Sequence, residues 1–264
     1  MKYSVIVTTY NDAEYLPGCF QSIENQTQTP EEVIIVNDNS TDNTEKIIEK
    51  YSFKKINSNE PKHGERWLNR VRAFKLGLKS VEKPTDLVLK IDADIIIPAN
   101  YAEKLIQNYN NDPQLGASSG IQNPDKFHPL PRNGAILYKH EAIQTPDEIK
   151  EVYAWDRWIL LWLKEKGYHL SVDENLRYTE LRDSQLTTEE AKRSGIVRRR
   201  EHYPIRGVLI QALLQGGLKS LAFLYGYIIG KGPERHNKEF IRQYSSKEEK
   251  ERMKYIIKRL GIKK

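Results

Sequence analysis

Cysteine is almost absent from the 264 residues, and Cys19 stands alone. A single thiol excludes an internal disulfide framework, and a chain of this length buries enough surface to fold without one. The six histidines, His63, His128, His140, His169, His202 and His236, are scattered without an H-x-x-x-H spacing, which argues against zinc. No clean apolar run long enough to span a bilayer, about 20 residues, is present. The nearest candidate, residues 207–230, is broken by Gln211, Gln215, Gly216, Gly217 and Lys219. A lysine at mid-membrane costs roughly 2.5–3.5 kcal/mol, so a spanning helix is disfavoured. Residues 1–7 enter a strand pattern at once and lack an apolar leader with a small-residue cleavage site, so a cytoplasmic protein is expected. Internal repeats and low-complexity tracts are missing too.

What is present is divided by charge. Residues 1–191 hold 23 Lys and Arg against 30 Asp and Glu, whereas residues 192–264 hold 19 against 6. The acidic part suits a metal ion, and the basic part suits a phosphate-bearing surface. The expected organisation is a domain over residues 1–190, divided near residue 98, followed by a basic, partly amphipathic helical segment over 191–264.

Within the first half, strand, turn and helix alternate. Residues 3–9 (Y-S-V-I-V-T-T) and 32–37 (E-V-I-I-V-N) are β-branched runs ending in turn residues, and 86–91 (D-L-V-L-K-I) repeats the design before Asp92-Ala93-Asp94. Their continuous apolar centres suit strands covered on both faces. Helices are expected over 43–51, 65–80 and 99–110, which predicts an α/β fold with a doubly wound, mostly parallel sheet. Shorter strands are expected at 115–121 and 134–138, with a proline-rich loop between them over 123–133. Trp155, Trp158, Ile159, Trp162 and Leu163 mark one face of a helix closed by Gly167.

In such a sheet, ligands bind outside the carboxyl ends of the strands. Thr9, Tyr10 and Asp12 follow the first strand, Asp38 the second, and Asp92 and Asp94 the third, so all fall on one rim. Carboxylates without cysteine or histidine beside them favour a hard cation, Mg²⁺ or Mn²⁺, which commonly neutralises phosphate oxygens. The bland alternative for Asp38 and Asp42 is helix capping, and for Asp156 a favourable place in the first turn of a helix. Cys19 lies in an amphipathic pattern and reads as a small buried residue.

The ordered motifs Val5-Ile6-Val7-Thr8-Thr9-Tyr10-Asn11, Val36-Asn37-Asp38-Asn39-Ser40-Thr41-Asp42 and Leu89-Lys90-Ile91-Asp92-Ala93-Asp94 resemble those of the family 2 glycosyltransferases. Ala154-Trp155-Asp156-Arg157-Trp158 is similar to the family's acidic motif, and the resemblance runs to about residue 175. It implies a GT-A fold and an enzyme that moves a sugar, with inversion, from a nucleotide-diphosphate sugar to a hydroxyl acceptor. Thr9, Tyr10 and Asp12 would then line the nucleotide pocket, and Asp38 would bind the base, a uracil or guanine. Arg70 would contact phosphate or base, Asp92 the sugar or ribose, and Asp94, with Asp92, the metal. Asp156 would be the general base. Asn37 stands where the family has an aspartate, and Glu180 where it often has a histidine that helps hold the metal.

A nucleotidyltransferase, and a nucleic-acid- or membrane-binding protein built on a non-catalytic domain of this kind, are the rival readings. For the basic segment, two amphipathic helices lying in a membrane interface, flanked by Arg198–Arg200, Arg206, Lys231 and Arg235, fit better than nucleic-acid binding, for which no reader motif is present. A peripheral location on the inner face of the cell membrane, a lipid-linked or glycan acceptor and a possible homodimer follow as expectations.

Overall fold

The computed structural model describes residues 1–123, 130–131, 133–182, 186–232, 236–241, 243–246 and 250. Most of the expected proline-rich loop, the flanking Arg235 and the last residues of the basic tail lie outside that set. Two compact units are found, Met1–Asp183 and Ser184–Lys264.

The first unit is built on an eight-stranded sheet in the order β3-β2-β1-β4-β7-β6-β8-β5. Its strands are β1 (Tyr3–Thr9), β2 (Glu32–Asn37), β3 (Lys54–Asn57), β4 (Leu87–Asp92), β5 (Ile95–Ile96), β6 (Leu115–Asn123), β7 (Ala135–Lys139) and β8 (His169–Glu180). The helices are α1 (Leu16–Glu24), α2 (Thr44–Ile48), α3 (Arg66–Lys79), α4 (Tyr101–Asn111), α5 (His140–Ile143) and α6 (Trp155–Glu165). Strands β3, β2, β1 and β4 pair in parallel. Beyond β4 the sheet is mixed, because β7 runs antiparallel to both β4 and β6 while β6 and β8 are parallel. The α/β class and the GT-A-like sheet flanked by helices match the sequence expectation, with the continuous parallel run limited to β3-β2-β1-β4 and mixed pairing beyond it.

Burial explains the parallel core. Val5, Ile6 and Val7 of β1 and Ile34, Ile35 and Val36 of β2 are fully enclosed, as strands covered on both faces require. On one side α1 contributes Leu16, Cys19, Phe20 and Ile23, one helical face at the expected spacing. On the other side α3 comes so close that a Cβ on Gly77 would lie 2.6 Å from Ile6 Cγ2. Cys19 is a buried packing residue, as expected.

The register of the parallel strands sets the site. Thr9 of β1 faces Asn37 of β2, and Thr8 faces Asp92 of β4, so the three strands end at one level. The two-residue strand β5, immediately after Asp94, is held by β8 through the pairs Ile95 with Glu180 and Ile96 with Thr179.

Candidate active site

Each strand-end motif is shaped by its own hydrogen bonds. Asn11 and Asn39 adopt positive φ, 54° and 57°, a conformation that asparagine tolerates better than most residues. Asp12 Oδ2 accepts from Thr9 Oγ1 at 3.0 Å and from the Tyr10 amide at 2.9 Å, which closes the first turn. The Thr41 amide donates to Asn11 Oδ1 at 2.7 Å and ties the second turn to the first. Asn37 Oδ1 accepts from the Ser40 amide at 3.1 Å, a task an aspartate in its place could also perform. Asp42 accepts from the Thr44 and Ala13 amides, so turn closure accounts for it.

The acidic residues on this rim carry internal counter-cations. Lys62 pairs with Asp38 and lies over the Tyr10 ring, its Nζ 3.5 Å from the centroid. Tyr10 is 42% exposed, so its ring is accessible for stacking. Lys90, buried within β4, pairs with Asp92 and donates to the Asn133 carbonyl at 2.7 Å. The Asp92 amide in turn donates to Gly134 O at 2.8 Å, so the Asn-Gly turn is fastened to the end of β4. Arg182, two residues beyond β8, pairs with Asp12 and reaches Asp94 Oδ2 from Nε at 3.4 Å.

Five of the sequence-predicted residues are therefore joined in one network. Thr9, Tyr10 and Asp12 are directly bonded, Asp12 and Asp94 meet through Arg182, and Asp38 meets Tyr10 through Lys62. Asp92 approaches α6 through Lys90, whose Nζ is 5.9 Å from the Trp155 ring. Asp156 is half-buried in the first turn of α6. Burial, with the Asp156 and Asp92 carboxylates, raises the pKa of the enclosed Tyr138 phenol, so both acids act on one ring. Arg70 is exposed on α3 and, among the described residues, makes no ion pair with the rim. Trp155 and Trp158 are buried in the core, with Trp155 stacked on Phe74 at 5.3 Å.

Two features bear on chemistry. Burial, then the neighbouring Asp92, pushes the Asp94 carboxyl up to about 6, with Arg182 opposing and Glu180 adding to the rise. A carboxylate held that far from its ordinary range has a stabilisation to gain from a cation. Asp92 and Asp94 offer hard oxygen donors that fit Mg²⁺ or Mn²⁺, although no ready-made group of three ligands occurs among the described residues. Ala154, just before α6, has φ 54°, a conformation costly for alanine that fixes how the chain enters the Asp156 turn.

Sequence reasoning did not assign Lys62, Lys90 or Arg182. A signal existed for Lys90, since a lysine inside the apolar run L-V-L-K-I has to find a partner when it is buried. Arg182 carried none, because its place depends on β8 crossing to β5.

The family model described as Glycosyl transferase family 2 matches residues 4–156, which include the first three motifs and end at Asp156 within the fourth. A poly-beta-1,6-N-acetyl-D-glucosamine synthase of Staphylococcus epidermidis is 31% identical over 142 residues, 53% of this chain and 32% of the synthase. A glycosyltransferase of Mycoplasma pneumoniae is 27% identical over 173 residues, 56% of each protein. The chain thus spans about a third to just over half of these relatives' lengths. Among solved structures, the mannosyltransferase PcManGT of Pyrobaculum calidifontis, in complex with GDP-Man and Mn²⁺, superposes with a TM-score of 0.59 at 18% identity, covering 87% of this chain and 70% of that one. Residues 1–349 of TarS from S. aureus, in complex with UDP-GlcNAc, give 0.55 at 20% identity, covering 75% and 66%. These structures share the GT-A fold with the first unit's sheet and helices. A family match over more than half of the chain, with its motifs gathered on one rim, establishes that this chain belongs to glycosyl transferase family 2.

Proposed function

We propose that the chain transfers a glycosyl group from a nucleoside-diphosphate sugar, UDP- or GDP-linked, to a hydroxyl acceptor with inversion at the anomeric carbon. The observation that carries this reading is the rim itself: Asp12, Asp38, Asp92 and Asp94 each hold a cationic side chain that a charged donor can displace or recruit. Tyr10 stacks on the base and Asp38 accepts a hydrogen bond from it, while Thr9 and Asp12 hold the turn that borders the nucleotide. Arg70 contacts phosphate from α3. Asp94, with Asp92, would hold Mg²⁺ or Mn²⁺, and Glu180 stands near enough to raise the Asp94 pKa. When bound, such a metal neutralises diphosphate charge.

The chain's own residues carry the remaining chemistry. Asp156 takes the proton of the acceptor hydroxyl as that oxygen attacks the anomeric carbon, the bond from that carbon to the diphosphate oxygen breaks, and nucleoside diphosphate leaves. Arg182 shifts from its carboxylates toward the departing diphosphate, which a guanidinium binds well. The acceptor is a lipid-linked or glycan hydroxyl, reached from the cytoplasmic side of the cell membrane.

The test is a donor panel with Mn²⁺ or chelator, scored by product. Glycosyl transfer releases nucleoside diphosphate, and release of pyrophosphate would instead make the chain a nucleotidyltransferase. Asp156→Asn is expected to lower kcat by roughly 10²–10⁴-fold while nucleotide affinity stays nearly unchanged. Normal turnover in that variant would remove Asp156 from the role.

A further inference from the structure

The second unit contains α7 (Thr188–Arg200), α8 (Ile205–Gln215) and α9 (Gly217–Ile229). Helices α7 and α9 meet backbone to backbone. A Cβ on Gly195 would lie 2.0 Å from Phe223 O, and one on Gly226 would lie 1.9 Å from Lys192 O. Ala191, Tyr203, Val208, Ala212, Phe223 and Tyr227 form a small core between the helices. Tyr227 Oη donates to Tyr203 O at 2.7 Å, and Ser220 Oγ donates to Ala212 O at 2.6 Å. Arg198 is buried, bonded to Glu201 at 3.0 Å and to Gln211 at 3.0 Å. The unit's polar interior is therefore organised, and α8 and α9 each have one face committed inward.

Their outward faces are apolar. Ile205, Leu209 and Leu213 recur every fourth residue along α8, and Leu218, Leu221, Tyr225 and Ile228 follow at three- and four-residue steps along α9, so each set forms one stripe. Leu213 is 82% exposed, Ile228 75%, Leu218 73% and Leu221 64%. A run of large aliphatic side chains this open marks an interaction surface.

Charge identifies what covers it. From His202 to Gly232 the sequence contains no aspartate or glutamate, and its ionised side chains are Arg206, Lys219 and Lys231. Helix α7 adds two more cations at the border of α9: Lys192 Nζ lies 5.8 Å from the Tyr225 ring, and the Arg199 guanidinium 5.4 Å from the Tyr227 ring. Lys192 is shared with Glu189 at 3.8 Å, but α8 and α9 themselves carry cations and no acidic residue, and an apolar stripe on helices charged in that way complements a surface that is apolar within and anionic at its boundary. A second copy of the same stripe would bring no acidic side chain from residues 202–232 to meet these cations. Length decides the mode of contact. At about 1.5 Å per residue, helices of 11 and 13 residues fall well short of a hydrocarbon core of about 30 Å. Among the described residues no helix is long and apolar enough to cross a membrane.

We propose that the outer faces of α8 and α9 form a docking surface for an anionic lipid bilayer, with both helices lying in the interface plane and their leucine and isoleucine side chains inserted. This goes beyond the donor chemistry and does not depend on it.

The test is co-flotation of the full chain with vesicles of phosphatidylcholine alone or of equal parts phosphatidylcholine and phosphatidylglycerol. Binding is expected to the mixed vesicles and to weaken as salt is raised. Leu213→Ser with Leu221→Ser should lower the partition coefficient by on the order of 10²-fold, since each withdrawn leucine is worth roughly tenfold. Both positions are exposed, so the circular dichroism spectrum and melting temperature should hold. The Mn²⁺-dependent nucleotide shift should also persist in that variant, which keeps a failure here separate from a failure of the donor reading. Equal flotation of the variant and the parent would overturn the proposal. So would a parent chain that sediments as a dimer, becomes monomeric on the double substitution and ignores both kinds of vesicle.

Discussion

Replacing Asp94 by asparagine tests the metal assignment through the sign of a stability change. The Asp94 side chain is 16% exposed, and burial together with Asp92 raises its pKa from 3.8 to about 6. The folded chain therefore binds this proton more tightly than the unfolded chain. Stability falls as pH rises from about 4 to about 6, and the whole cost is present above that range. A displacement of about two pH units corresponds to roughly 3 kcal/mol, and solvent screening reduces this to about 1–2 kcal/mol. Asparagine keeps the shape and removes the charge, while Arg182 retains Asp12 as a partner. At neutral pH, Asp94→Asn should accordingly melt roughly 2–8 °C higher than the parent without metal, and the gap should close toward pH 4. The same variant should lose the Mn²⁺-dependent thermal shift given by nucleoside diphosphates. In the parent, metal binding should weaken about tenfold per pH unit below about pH 6, as the proton competes for the carboxylate. Scanning fluorimetry across pH, with Mn²⁺ or chelator, reads all of these. If Asp94→Asn melted lower at neutral pH, the pair with Arg182 would be a structural brace and the argument would fail. Retention of the metal-dependent shift would equally refute it.

Two further predictions concern Arg182 and the helix contact of the second unit. Arg182→Gln removes the cation shared by Asp12 and Asp94, so Mn²⁺ alone should bind about tenfold tighter while nucleoside diphosphate binds more weakly, given how strongly a neighbouring charge acts at short range. Titration calorimetry separates the two ligands, and unchanged affinity for both would remove Arg182 from the site. Gly195→Ala places a methyl group against the Phe223 carbonyl, where only backbone movement can make room. The second unit should lose about 1–3 kcal/mol, seen as faster proteolysis within α7–α9 while the nucleotide shift persists. Unchanged protease resistance would show that the helices can part without cost.

The parts of the fold that sequence reveals are those whose burial is written locally. Strands β1, β2 and β4 are continuous β-branched or leucine runs, because two covering layers demand apolar residues on both faces. The α6 face is equally plain, since Trp155, Trp158 and Ile159 repeat at helical spacing. Strand β8 is harder to read: H-L-S-V-D-E-N-L-R-Y-T-E is mostly polar and half-exposed, and bulges interrupt its pairing with β6. Strand β5 is too short to show a period, and β3, K-K-I-N, lies at the sheet's edge with lysines in place of apolar residues. The candidate site divides in the same way. Its aspartates follow strands that announce themselves, whereas Arg182 reaches them only through the β8–β5 pairing, a contact between segments more than 80 residues apart in the chain.

The level ending of β1, β2 and β4 carries an evolutionary consequence. The strand bodies hold the sheet together from within, while the residues that would read a ligand lie at or just past their ends, where their structural task is to close a turn or pair a charge rather than to fill the apolar core. Asn37 illustrates this freedom, since its amide oxygen closes the turn and the strand remains intact. A lineage can therefore exchange the residues that choose a base or a sugar, one turn at a time, with the core left untouched. A change of specificity on such a rim is thus limited by turn closure and charge pairing, not by repacking of the strands beneath it.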